Sequence, residues 1–340
     1  MKKLKILVAL FSGLLAFTSV KAGEMTVTGT MQATYSQATD GVTGNPLGLN
    51  TDLAFEGTTE VLSATAVTWK MATDGTFAGD TGADHTLKFS NDYGTFKIGN
   101  AGDSANAIDD ITPTAFEEAN GAGSGTYGVD FGSGMEGSMS VGYALGNIMG
   151  TGVSVDYTYY PRLDGTLNNE KATSGDTTPD SNSAQSINVV IDPSNYVPAL
   201  DGLKVTGGYE KSSSLYTNLQ NKEGGTVAVN YVWNALSLGY QQKGYHALTT
   251  TIATDDVYYR DTILGAAYAI NDSLAISYNK YESKKGDNTN GGMLQETSAV
   301  NVAYTIGGLT IGFQEASTDN ANYVLNATDD TRTISLKTAF

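Results

Sequence analysis

The chain contains no cysteine, only six prolines, two tryptophans and two histidines among 340 residues. Without cysteine there can be no disulfide framework, no thiol nucleophile and no soft-metal site. The two histidines, His85 and His246, lie far apart in sequence and read as surface residues rather than as a catalytic or metal pair. Long apolar runs are also missing. After the first twenty residues no stretch approaches the 18 or more apolar residues that a membrane-spanning helix requires. Charge of one sign is scarce: 19 Lys and Arg stand against 36 Asp and Glu, a net charge of −17. This balance disfavours a nucleic-acid partner and a polybasic contact with a membrane surface. The acidic pairs 109–110, 255–256 and 329–330 lack the spacing of a calcium loop, and the glycine run 121–125 lacks the lysine and the strand-to-helix setting of a phosphate loop. No metal, cofactor or enzymatic constellation is expected.

Residues 1–22 carry the marks of an export signal. Lys2, Lys3 and Lys5 precede a mostly apolar run from Leu4 to Val20, and Val20-Lys21-Ala22 ends it with a small residue. Its removal takes four lysines away. That leaves 15 basic against 36 acidic residues, a charge of −21, which suits attraction of cations. An exported chain of this length without disulfides needs another source of stability. Its composition supplies a clue: 40 glycines and 20 tyrosines, with much Thr, Ser and Asn, suit strands joined by tight turns.

Period-two alternation dominates the remainder, residues 23–340. Met25, Val27, Met31, Ala33 and Tyr35 alternate with Thr26, Thr28, Thr30, Gln32 and Thr34. Val227, Val229, Tyr231 and Trp233 repeat the pattern, as do Leu309, Ile311 and Phe313, and then Ile334, Leu336 and Phe340. Many such segments run about 9–12 residues, the length of a tilted membrane strand rather than of a typical globular one. Strands are expected near 25–36, 49–57, 59–72, 83–91, 94–100, 135–146, 151–160, 185–192, 202–212, 223–233, 235–245, 257–270, 272–284, 293–306, 308–318 and 329–340. Their connectors alternate between short turns and long polar loops, as they do in membrane barrels. These features predict one all-β domain over 23–340, a closed antiparallel transmembrane β-barrel of 16 strands. A further strand within 161–184 would make eighteen.

The third long connection, about 101–134, carries Asp103, Asp109, Asp110, Glu117 and Glu118 and no Lys or Arg. It reads either as a solvated acidic loop or as a loop folded inward to narrow a pore. Alternation turns Lys70, Lys88, Lys97 and Lys337 to the face opposite their apolar neighbours, because a lysine held in lipid at mid-depth costs roughly 2–4 kcal/mol. An acidic loop facing a basic wall would set up a transverse field across a constriction.

Here the segment Phe89 to Asn100, FSNDYGTFKIGN, resembles the strand-turn-strand that precedes the constriction loop of Gram-negative porins, and the terminal Phe340 resembles that family's assembly signal. The resemblance implies an outer-membrane homotrimer that passes small hydrophilic solutes and ions, contacts outer-membrane lipid, and meets the barrel-assembly machinery through its last strand. Asn100 departs from the pattern, since the family often carries arginine there. Three functions remain open at this point: passive diffusion with cation preference, a solute-selective porin with a binding site in the constriction, and a secreted soluble β-sandwich or adhesin.

Overall fold

A computed structural model describes residues 25–38, 45–61, 65–74, 84–100, 104, 106–119, 131, 135, 138–163, 181–214, 221–246, 257–286 and 292–340. The proposed leader therefore lies outside the described residues. Sixteen strands follow one another along the chain. They are β1 Met25–Ala38, β2 Leu47–Val61, β3 Thr65–Asp74, β4 Asp84–Asn91, β5 Gly94–Gly99, β6 Ser140–Leu145, β7 Val153–Tyr160 and β8 Ser181–Ile191. The second half comprises β9 Leu203–Ser214, β10 Lys222–Trp233, β11 Leu236–His246, β12 Tyr258–Asn271, β13 Leu274–Gly286, β14 Met293–Ile306, β15 Leu309–Asp319 and β16 Thr328–Ala339. Each pairs antiparallel with its sequence neighbours, and β1 pairs with β16, so the sheet closes on itself. Closure leaves no strand edge unpaired. It also rules out both the eighteen-strand count and the two-sheet sandwich.

The packing is inverted relative to a globular protein. Side chains buried on the inner face are largely polar: Thr206, Gln241, Asn279, Asn301, Gln314 and Ser335 are all at least nine-tenths buried. Their neighbours on the outer face are exposed and apolar, among them Val227, Leu264, Val300, Ile334 and Leu336. Tyr231, Trp233, Tyr268, Tyr304 and Phe340 sit outward near the turn end, and Tyr35, Tyr159, Tyr209 and Tyr258 outward near the loop end. An apolar band edged by aromatic residues matches the outer surface of a transmembrane barrel. Among the described residues no helix is long and apolar enough to cross a membrane.

The turns follow their local chemistry. Asn234 and Gly307 take left-handed φ values of 51° and 58° in two-residue turns, and Asn271 accepts from Ser273 N at 2.9 Å in a third. Two corrections to the expected strands have physical causes. The Gly57-Thr58-Thr59 segment, expected to turn, continues β2 to Val61. A Cβ at Gly57 would fall 2.2 Å from Trp69 Nε1, so this glycine admits an indole across the ladder instead of bending the chain. His246, expected in a loop, is the last residue of β11 and pairs with Glu223 and Tyr258.

Phe340 extends the β1–β16 seam that closes the barrel by one further pair. Phe340 N donates to Gly29 O and Gly29 N donates to Phe340 O, both at 3.0 Å. A Cβ at Gly29 would lie 2.5 Å from the Phe340 ring and 2.7 Å from Leu53. Gly29→Val should therefore push the ring off the seam. We expect loss of the compact, heat-modifiable form on cold gel electrophoresis, with Val27→Ala, a neighbouring exposed position, leaving it intact.

Candidate functional site

Ser104 and residues 106–119, in the connection that follows β5, run along the inner face of the wall from β8 to β15. Ser104 Oγ meets Ser186 Oγ at 2.6 Å on β8. Gln241 of β11 donates to the carbonyls of Ile108 (2.8 Å) and Asp109 (2.6 Å) and accepts from Ile111 N at 3.0 Å. Asn279 of β13 donates to Pro113 O at 3.0 Å. Gln314 of β15 donates to the carbonyls of Glu117 (3.1 Å) and Glu118 (3.0 Å). The wall amides thus satisfy backbone groups that a buried loop would otherwise leave unpaired.

Glycines make room for this path. Added Cβ atoms would collide with Ile108 at Gly208 (1.7 Å), with Pro113 at Gly239 (2.3 Å) and Gly265 (2.7 Å), and with Phe116 at Gly312 (2.4 Å). Glycine within a strand commonly marks such a close approach. Phe131, further along the same connection, is buried against Tyr245 and Tyr259.

The expected acidic residues separate into two groups. Asp109 and Asp110 share one ammonium: Lys243 Nζ donates to Asp109 Oδ1 at 3.0 Å and to Asp110 Oδ1 at 2.7 Å. Asp109 Oδ1 also accepts from Phe131 N at 2.8 Å. Lys243 is 1% exposed and lies over the Tyr281 ring, 5.6 Å from its centroid. Tyr281 in turn donates to Asp261, which also accepts from Ser283 at 2.6 Å. Burial pushes the Asp109 carboxyl up to about 6, against the pull of Lys243. Glu117 and Glu118 lie farther along, at β14 and β15, and among the described residues neither has an ion-pair partner. Burial, with the nearby Asp110 and Asp109 charges, raises Glu118 to about 7; Glu117 is raised by burial and partly relieved by Lys337. Asp103 lies outside the described residues.

Lys70, Lys88 and Lys97 occupy the inner face of β3, β4 and β5, across the bore from the loop. Lys88 and Lys97 stand directly opposite each other in the ladder. Lys97 forms an ion pair with Asp156 of β7, and Lys70 is cross-strand from Glu56. Asp52, on the same inner row of β2 as Glu56, accepts from Thr30 Oγ1 at 2.8 Å. Lys337 of β16 lies between Thr310 and Gln32. This wall is therefore mixed in sign rather than basic. Sequence reasoning missed Asp52, Glu56, Asp156 and Lys243. All four sit on inward positions that alternation identifies, but their partners lie on strands remote in sequence.

A closed sixteen-stranded antiparallel barrel, with alternating short turns and long loops and a long third loop folded inside, is the porin architecture. Solved structures with this fold include the trimer form of OmpT, an outer-membrane protein of Vibrio cholerae, with a TM-score of 0.70 and 12% identity over 94% of this chain and 100% of that one. An anion-selective porin from Comamonas acidovorans gives 0.67 at 11% identity over 94% and 100%. Salmonella typhi OmpF, in complex with daunomycin, gives 0.66 at 12% over 94% and 98%. No protein-family model matches the chain, and no curated protein matches it.

Proposed function

We propose that this protein is a non-enzymatic outer-membrane channel for passive diffusion of small hydrophilic solutes and ions, with a preference for cations. The observation that carries this reading is the docked loop: a closed barrel with a polar bore, part of whose width is taken up by residues 104 and 106–119. Pore lining of this kind sorts solutes by size and by the charge it presents. Asp109 and Asp110 share Lys243, Glu117 has only the more distant influence of Lys337, and the facing lysines Lys70, Lys88 and Lys97 are offset by Asp52, Glu56 and Asp156. The lining therefore leans negative, in line with the acidic excess of the whole chain.

Several further roles accompany this reading. Residues 1–22 are an export signal removed from the mature barrel of 23–340, and the connection 101–134, Asp103 included, forms the constriction. The functional unit is a homotrimer, as is the trimer form of the Vibrio cholerae protein of like fold. Outer-membrane lipid surrounds the apolar band, and the strand ending in Phe340 engages the barrel-assembly machinery. The Comamonas relative in fold is anion-selective, so selectivity does not travel with the fold and must come from the residues named here. Planar-bilayer recording tests the proposal. Stepwise channels with a reversal potential favouring K⁺ over Cl⁻ are expected. A protein that refolds to a barrel yet gives no conductance would overturn it, and conductance blocked by one solute at low concentration would instead favour a solute-selective porin.

A further inference from the structure

The outer face of the barrel carries a cavity that the channel reading leaves unused. It lies near the loop end of β10 to β12, has a volume of about 550 Å³, and is bounded on its outer side by Gly225, Val227, Gln242, Gly244, Tyr258 and Arg260. Its floor faces away from the bore: on β10 the inward positions are Gly224, whose Cβ would meet Phe131, and Thr226, so Gly225 between them points outward. Gly225 pairs directly with Gly244. A Cβ at Gly244 would meet nothing within 4 Å, and one at Gly225 would find only a backbone oxygen at 3.7 Å. Unlike the inner glycines, these two accommodate no part of the chain itself. The floor is bare sheet.

The cationic side of this cavity is equally distinctive. Arg260 pairs with Gly244, and Lys284 pairs with Arg260, so the two cations form one row beside the glycine floor. With its amide oxygen turned toward the guanidinium, Gln242 accepts from Arg260 Nη2 at 2.9 Å and Nε at 3.2 Å, which holds the side chain and leaves its other N–H groups free. Among the described residues, the other outward strand cations are paired: Lys211 with Glu223, Lys280 with Glu282 and Glu296, Arg332 with Glu315. Among the described residues no carboxylate pairs with Arg260 or Lys284. Toward the turn end, the same face presents Val227 (57% exposed) and Leu264 (46%). Two unpaired cations at the edge of an apolar band, beside an empty glycine-floored groove, suit an amphiphile with an anionic head.

The geometry points to a lipid-binding site: an anionic, phosphate-bearing lipid of the loop-side leaflet lays an acyl chain over Gly225 and Gly244 and places its phosphate against Arg260 and Lys284. The arginine fork matches phosphate geometry, and the lysine adds a second positive charge. A groove of this volume is within the range of small-ligand sites. The inference rests on the membrane-embedded reading above.

Native mass spectrometry of the refolded barrel in neutral detergent, with added lipid A and with phosphatidylcholine as the neutral comparison, tests it. The wild type should retain lipid A in preference to phosphatidylcholine. The double variant Arg260→Gln/Lys284→Gln should retain about tenfold less lipid A. Gly244→Leu fills the groove without a clash and should lose retention while keeping the barrel's heat-modifiable mobility. Equal retention by all three proteins, or equal retention of the two lipids by the wild type, would overturn the site. A barrel that fails to insert into vesicles would count against the channel reading instead, so the two failures are separable.

Discussion

Replacing Lys243 by methionine is expected to raise single-channel conductance and to make the current noisy. Lys243 is buried and is the shared partner of Asp109 and Asp110 at 3.0 and 2.7 Å. Removing one member of a buried ion pair leaves an uncompensated charge, at a cost of about 3–5 kcal/mol. Here two adjacent, largely buried carboxylates would lose the ammonium that they share, beside the Tyr281 ring over which it lies. The barrel ladders do not depend on that contact. The loop does, and it can escape the penalty by leaving the wall and solvating both aspartates. The triple variant Lys243→Met/Asp109→Asn/Asp110→Asn removes the charges together and should restore conductance toward the wild-type value. A quiet, unchanged channel in the single variant would show that the amide contacts from Gln241, Asn279 and Gln314 hold the loop without the ion pair.

Cation preference is expected to fall as pH drops from 8 to 5.5, a range in which ordinary surface carboxylates hardly titrate. Glu118, raised by burial to about 7, and Asp109, raised to about 6, take up protons there and remove negative charge from the lining. The sign for docking is the opposite. Both groups bind protons more tightly in the docked loop than at their ordinary values of 4.5 and 3.8. Docking is therefore strongest at low pH and weakens as pH rises through about 6 and then 7. Acid should leave the channel less cation-selective and its loop more firmly seated. Reversal potentials measured across this range in wild type and Glu118→Gln provide the check. The variant should start with lower selectivity and lose most of the change near pH 7, and a wild type whose reversal potential is flat between pH 8 and 5.5 would remove Glu118 from the ion path.

The sixteen strands were legible because each has two contrasting faces, and alternation requires only the residues of one strand. Asn234, Asn271 and Gly307 announced their turns through their own backbone preferences. Gly57 misled because glycine serves two purposes, a bend or a close approach, and only the position of Trp69 across the ladder decides between them. The site was half legible for the same reason. The acidic run in 101–134 is contiguous, so its charge stood out. Its anchor does not: Lys243 lies more than 130 residues from Asp109, and Asp156 is 59 residues from Lys97. The glycines at 208, 239, 265 and 312 were a usable signal, since each interrupts an inward row of a strand, but which loop residue fills each gap is set by the fold.

The seam at Phe340 also bears on how this chain can fold. Closing β1 onto β16 joins residues as distant as Gln32 and Ser335, 303 positions apart. Every other ladder in the barrel is formed between strands adjacent in sequence and can assemble as soon as its two members exist. The final ladder has no such local start, so it carries the largest loop-closure entropy of the whole barrel and should be its slowest step. Until it forms, the protein is an open sheet with two exposed edges, each able to pair with another chain. The terminal phenylalanine thus sits at the kinetic bottleneck: a chain lacking it would keep nearly all its native contacts and yet spend longest in its most aggregation-prone state.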